Sequence, residues 1–260
     1  MAARAIWKGV LNVGSERVPV KLYSAVQDRA VHFRLLEERT GTPVHQRLVD
    51  PRTNDVVSYQ DVQRGFAVEQ GFVLLRKDEL DALAPEPSRD IAVSHFVANE
   101  RLGAEWYVRP YYLGPDGDEE AYFALAEALR ESGKEGIAHW TMRNHEYTGV
   151  LREQDGYLAL VTLRHADEVI ARNELPRPEG RAHTEKELKM AEQLISAYED
   201  AFDPAQYKDE YRERVLTYVE AKAQGKKPKL KRVVEKRSEG DLSDALAKSL
   251  AGLRKDRSVA

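Results

Sequence analysis

The feature that most constrains this chain is a succession of short β-type runs, each cut off by a turn signal, over roughly its first 170 residues. "RAIWKGVLNV" (4–13) and "RVPVKLYSAV" (17–26) mix polar with β-branched or aromatic residues around Gly14-Ser15. "DVVSYQDV" (55–62), "QGFVLLR" (70–76), "IAVSHFVA" (91–98) and "EWYVRPYYL" (105–113) follow, bounded by Gly, Pro, Asn or Asp. "GIAHWTMR" (136–143), "EYTGVLRE" (146–153) and "GYLALVTLR" (156–164) close the series. Their turns fall at Arg143-Asn144-His145 and at Gln154-Asp155-Gly156, where Asp-Gly is a strong hairpin signal. Runs this short and this closely spaced predict a barrel or sandwich rather than a parallel sheet. One helix interrupts them: "EEAYFALAEALRES" (119–132) places Tyr122, Leu125, Ala126 and Leu129 on one face.

Beyond residue 174 the chain changes character. A polar, proline-containing connector (174–183) leads to a capping box, Thr184 with Glu187, which opens a helix with Leu188, Ala191, Ile195, Tyr198 and Phe202 on its apolar face. Asp203-Pro204 predicts the start of another helix, with Tyr211, Val215 and Val219 at helical spacing and Gly225 at its end. A basic run and a last amphipathic helix carrying Leu246, Leu250 and Leu253 complete the chain. No internal repeat is visible.

Charge is distributed unevenly. From Lys226 onward there are 11 Lys/Arg against 5 Asp/Glu, a net of +6, so the preceding residues hold a net of −10 in a chain whose total is −4. Seven of the twelve residues from Lys226 to Arg237 are basic. A basic tail on an acidic body fits an anionic partner or a solvated linker. A second set, Arg34, Arg39, Arg47, Arg52 and Arg64, lies in one segment without long apolar runs. Guanidinium groups suit phosphate, although the interleaved acids equally suit a solvated surface.

Signals for catalysis are thin. No phosphate-loop, dinucleotide or nucleophile-elbow motif occurs, and "HADE" (165–168) and His145-Glu146 lack the i,i+4 histidine pair of a zinc helix. Glu119-Glu120 stand at a helix start, where carboxylates favour the dipole. With zero cysteines, disulfides, thiolate metal sites and a cysteine nucleophile are excluded. No run of 18 apolar residues and no signal-type N-terminus are present, so a cytoplasmic protein with no membrane contact is expected.

Several blocks resemble the bacterial Ku proteins in the same order: "RAIWKGVLNVGSERVPVKLYSAV" (4–26), "RPYYLGPD" (109–116), "LVTLRHADEV" (160–169), "EKELKMAEQLI" (185–195) and "FDPAQYKDEYRERV" (202–215). The terminal "DLSDALAKSLAGLRKDR" is similar to the last helix of many members. The resemblance implies a β-rich mixed α/β fold: a Ku-type β-barrel core over 1–175, with a bridge segment at about 28–65. A C-terminal helical arm (176–225), a basic linker (226–240) and a terminal helix (241–257) follow. It implies a homodimeric ring threaded on double-stranded DNA ends, which recruits an ATP-dependent DNA ligase for non-homologous end joining, with no catalysis, cofactor or metal of its own. A compact chain of this length has a radius of gyration of roughly 18 Å, small for enclosing a duplex alone, and two copies about a twofold axis can close a ring.

The DNA-binding residues so implied are Arg34, Arg39, Arg47, Arg52 and Arg64 of the bridge, Arg109 and Arg143 of the body, and Lys226, Lys227, Lys229, Lys231 and Arg232 of the linker. Leu246, Leu250 and Leu253 are the implied ligase-binding residues. The chain has Val13-Gly14-Ser15 where members often have Phe-Gly-Leu. It has Asp50 and Thr53 where some relatives place a cysteine pair, so the Thr53-Asn54 turn is expected to stand in for a zinc-stiffened bridge. Two rival readings are a duplex-coating protein acting through its tail and a ligase-binding scaffold with incidental DNA contacts.

Overall fold

The computed structural model describes residues 3–177, 179–180 and 182–226. Among these residues two units are present, one formed by residues 3–29 and 33–174 and the other by residues 30–32 and the described residues from 175 to 226. In the first, β1 (Trp7–Val13) and β2 (Glu16–Ser24) form a hairpin. Then come β3 (Leu48–Val49), β4 (Val56–Val57), β5 (Arg64–Val68), β6 (Gly71–Leu75) and a short helix α1 (Lys77–Ala82). The chain continues through β7 (Asp90–Ala98), β8 (Tyr107–Pro115), α2 (Glu119–Ser132), β9 (Lys134–Met142), β10 (His145–Gln154) and β11 (Tyr157–Leu163). Seven strands close a barrel in the order β1-β2-β8-β11-β10-β9-β7, while β3-β4 and β5-β6 are separate two-stranded ribbons. The barrel closes through a parallel β1–β7 pair, and its other pairings are antiparallel.

Period-two burial drives this closure. Val18, Val20 and Leu22 of β2, Tyr111 and Leu113 of β8, and Ala138, Trp140 and Met142 of β9 alternate into one core with Leu11, Ile91, Leu151, Leu158 and Leu160. Each large aliphatic side chain so buried stabilises the fold by about 1.5–3 kcal/mol. The two-residue turns have the chemistry their geometry requires. Arg143 and Asn144 (φ 53° and 62°) and Asp155 and Gly156 (φ 53° and 83°) are left-handed in pairs, as type I′ hairpins demand, and Gly14 (φ 61°) leads the β1–β2 turn.

Helix α2 spans the residues its periodicity predicts. The Asp118 carboxylate accepts from the Ala121 amide at 3.0 Å and Gly133 ends the helix at φ 60°. Tyr122, Ala126 and Leu129 enter the core, and the helix packs against β2, β9, β10 and β11. Because α2 joins the end of β8 to the start of β9, it covers one end of the barrel. Strand direction puts the end of β2 and the start of β7, between which residues 25–89 depart and return, at the opposite end. The barrel therefore has a helix-covered end and a bridge-bearing end.

In the second unit, α3 (Glu185–Ala197) begins at the expected capping box, with the Thr184 amide donating to Glu187 at 2.8 Å and the Glu187 amide to Thr184 Oγ1 at 3.3 Å. Phe202 lies beyond this helix. Asp203-Pro204 opens only a 3₁₀ turn, Pro204–Gln206, and α4 (Glu210–Ala223) starts instead at Asp209, whose carboxylate accepts from the Arg212 amide. A local cap and a proline suffice for one turn; continuing it into a helix needs the next residues to propagate. Two other expectations are corrected. The run 55–62 is strand only at Val56–Val57, because Ser58 caps a 3₁₀ turn at Tyr59–Asp61, and residues 64–68 form a strand that their sequence does not announce.

Candidate nucleic-acid interface

The segment that carries Arg34, Arg39, Arg47, Arg52 and Arg64 is built from tight turns and ribbons rather than from irregular coil. All five arginines are exposed. Among the described residues, Arg34, Arg47, Arg52 and Arg64 have no carboxylate within ion-pair distance, and Arg39 Nε lies only 3.9 Å from Glu37 Oε1 with the arginine side chain 85% exposed. Guanidinium groups held in water without an internal partner are available to phosphate.

No repeat is visible in the sequence, yet the backbone makes the same six-residue turn twice. In residues 37–42 the Gly41 amide donates to Glu37 O (2.8 Å), the Glu37 amide to Thr42 O (2.9 Å), and the Thr42 amide to Thr40 Oγ1 (3.3 Å). In residues 50–55 the Asn54 amide donates to Asp50 O (2.8 Å), the Asp50 amide to Asp55 O (2.9 Å), and the Asp55 amide to Thr53 Oγ1 (3.4 Å). The fifth residue is left-handed in both, Gly41 at φ 68° and Asn54 at φ 63°, and each turn is flanked by a β-bridge, Leu36 to Pro43 and Val49 to Val56. The leading carboxylate accepts from the amide two residues on, Glu37 from Arg39 (3.2 Å) and Asp50 from Arg52 (2.8 Å). Glu37 also accepts from the Thr40 amide at 2.8 Å and from its hydroxyl, and these hydrogen bonds, the hydroxyl's foremost, hold its carboxyl below the usual range.

The Thr53-Asn54 turn is thus closed by hydrogen bonds. Zinc does not fit it: the chain has no cysteine, Thr53 offers a neutral hydroxyl, and the Asp50 carboxylate is engaged by backbone.

The two body arginines belong to the bridge-bearing end of the barrel. Arg109 is the third residue of β8; its Nη2 donates to Ser24 Oγ at 3.2 Å, where β2 ends, and its guanidinium stands 5.7 Å from the Tyr111 ring centroid. Ser24 Oγ in turn donates to Val26 O at 2.6 Å, so Arg109 braces the point where the chain leaves the barrel. Arg143 occupies the first position of the β9–β10 turn and is exposed. Lys226 is exposed just past α4. Lys227, Lys229, Lys231, Arg232, Leu246, Leu250 and Leu253 lie outside the described residues. At the helix-covered end Asp118, Glu119, Glu120, Glu127 and Glu131 stand in and before α2 against Arg130, whereas residues 28–65 at the other end hold six arginines and six Asp/Glu.

Sequence reading missed the apolar surface of the same segment. Ribbon β5–β6 has apolar residues on both faces, with Phe66, Val68 and Val73 on one and Phe72 and Leu74 on the other; Phe66 is 66% and Phe72 76% exposed. A two-stranded ribbon with two bare apolar faces lacks a core of its own. The hidden signal was Gly65-Phe66-Ala67-Val68 beside Gly71-Phe72-Val73-Leu74, separated by Glu69-Gln70, which lacks the usual turn residues.

Comparison with known proteins accords with this geometry. Residues 13–190 match the family model described as the Ku70/Ku80 beta-barrel domain. The chain is similar to Non-homologous end joining protein Ku 2 of Geotalea uraniireducens, with 37% identity over 96% of this chain and 98% of that one. It is 35% identical to Non-homologous end joining protein Ku of Anaeromyxobacter sp., covering 97% and 87% of the two chains. To the protein of the same name from Archaeoglobus fulgidus the identity is 32%, over 96% and 100%. A closed barrel bearing an arginine-rich insertion at one end, matched along nearly its full length to such relatives, places this chain in the Ku family.

Proposed function

We propose that this protein binds the ends of double-stranded DNA in non-homologous end joining, as a homodimeric ring threaded on the duplex, without catalysis or cofactor. The observation that carries this reading is the set of exposed arginines on residues 34–64, four of them without an ion-pair partner among the described residues, together with Arg109 and Arg143 at the barrel end from which that segment springs. Contacts of this kind neutralise phosphates and release counterions, so affinity falls with salt and depends little on base sequence. The twin apolar faces of β5–β6 support association with a second copy, which removes them from water and closes the ring. The names of the relatives support the repair role. No helix among the described residues is long and apolar enough to cross a membrane; action at the nucleoid follows from the DNA-end-binding reading alone.

The basic run from Lys226 adds phosphate contacts outside the ring, and the terminal segment carrying Leu246, Leu250 and Leu253 recruits an ATP-dependent DNA ligase. The direct test compares one duplex with open ends and with both ends blocked by bulky caps, at physiological salt. Strong binding to the open form alone is expected; equal binding to both overturns threading and favours coating through the tail. Removing residues 226–260 is expected to weaken binding modestly and to impair ligase stimulation, and unchanged stimulation contradicts the recruitment role.

A further inference from the structure

We propose that Glu37 and Asp50 are positioning residues, each holding the arginine two places after it, Arg39 and Arg52, for contact with the DNA backbone through the duplicated turn. The inference rests on the DNA-end-binding reading above.

Electrostatics alone argues against these acids. A carboxylate two residues from a phosphate-binding arginine repels the same phosphates and offsets the arginine's field. Yet both turns place an acid at the first position and arginine at the third, in loops whose three further shared hydrogen bonds agree within 0.1 Å, Glu37 accepting in addition from Thr40. The shared reason is geometric. The carboxylate accepts from the arginine's own amide, Glu37 Oε1 from Arg39 at 3.2 Å and Asp50 Oδ1 from Arg52 at 2.8 Å, which restrains the backbone that aims the side chain. The arginine side chain is left in solvent, with Arg52 unpaired and Arg39 Nε 3.9 Å from Glu37 Oε1. A pre-aimed guanidinium loses less conformational freedom on binding than one on a loose loop. Thirteen residues separate the paired positions, so one chain presents two such arginines.

The test exploits opposite signs. Asp50→Ala removes a negative charge and an amide acceptor together; Asp50→Asn removes the charge and keeps the acceptor. End binding of the full chain to a short duplex is measured across salt, with thermal melting as the check on the fold. Arg52→Ala is expected to weaken binding roughly 3- to 10-fold and to lower the salt slope by about one per chain. Asp50→Ala is expected to weaken it similarly despite the lost negative charge, and the double variant to bind no worse than Arg52→Ala. Asp50→Asn is expected to bind as tightly as the parent or tighter, and Glu37→Ala and Glu37→Gln to repeat the contrast at Arg39.

Tighter binding by Asp50→Ala overturns the inference, as do additive losses in the double variant. A loss in Asp50→Asn equal to that of Asp50→Ala, at unchanged melting, overturns it even if the alanine variant folds poorly. An unchanged affinity in Arg52→Ala removes the underlying reading of this turn, and the inference with it.

Discussion

The Tyr122 hydroxyl donates to Leu113 O at 2.6 Å and accepts from the Leu158 amide at 2.8 Å, at a fully buried position where β8 and β11 pair. Tyr122→Phe keeps the ring and leaves a buried amide and carbonyl short of a partner, so a loss of about 2–3 kcal/mol is expected, read by denaturant unfolding with end binding unchanged below the transition. An unchanged midpoint contradicts the bridging role. Spacing in the sequence put Tyr122 on the buried face of α2, but its hydroxyl partners depend on the register of distant strands, which no local pattern encodes. Asp116 is a second such case. It meets Lys21 Nζ at 2.8 Å and Lys8 Nζ at 2.9 Å, tying β8 to β1 and β2, and Lys21 foremost, then Lys8, holds its carboxyl below the ordinary range. A depressed carboxyl stabilises the fold above its unfolded value and loses that contribution as pH falls through the folded one. Asp116→Asn is therefore expected to be less stable than the parent near neutral pH, with the gap closing in acid below the ordinary carboxylate range. A gap that persists there contradicts the assignment.

Elements whose signals are local were legible. Helix α2 has its cap, its apolar face and its terminal glycine within one stretch, and the β10–β11 hairpin has Asp155-Gly156. Elements settled by their partners were not. Strand β5 exists because residues 64–68 pair with 71–75 across a turn with no glycine or asparagine at its centre, and the cap of α4, Asp209, lies six residues after the first plausible one, Asp203. The duplicated turn escaped because its copies share hydrogen bonds more than letters: Glu37 answers to Asp50 and Gly41 to Asn54. At this scale the exposed β5–β6 ribbon yields a prediction of its own. Replacing Phe66 and Phe72 together by serine is expected to shift the protein from dimer to monomer in sedimentation and to leave barrel melting nearly unchanged. A dimer of undiminished stability contradicts this ribbon's part in association.

At the scale of the molecule, a formal charge of −4 is compatible with gripping a polyanion because contact is made by individual exposed guanidinium groups and not by the total. Exposed arginines occupy the bridge-bearing end of the barrel and the insertion it carries, interleaved there with acids such as Glu37 and Asp50 whose carboxylates are engaged by backbone amides, and the local field rather than the total meets the phosphates. Fold class could be read from the chain before any coordinates, as could the gathering of five arginines in one segment. The polarity of the barrel could not, because it follows from the strand order. The central claim is encirclement, and topological trapping tests it most directly. Protein is loaded on linear duplex, both ends are then capped with bulky blocks, and salt is raised to a level that strips it from uncapped DNA. Retention on the capped duplex, with release once a restriction cut opens a new end, is the expected result. Equal release from capped and uncapped DNA would contradict a ring around the duplex.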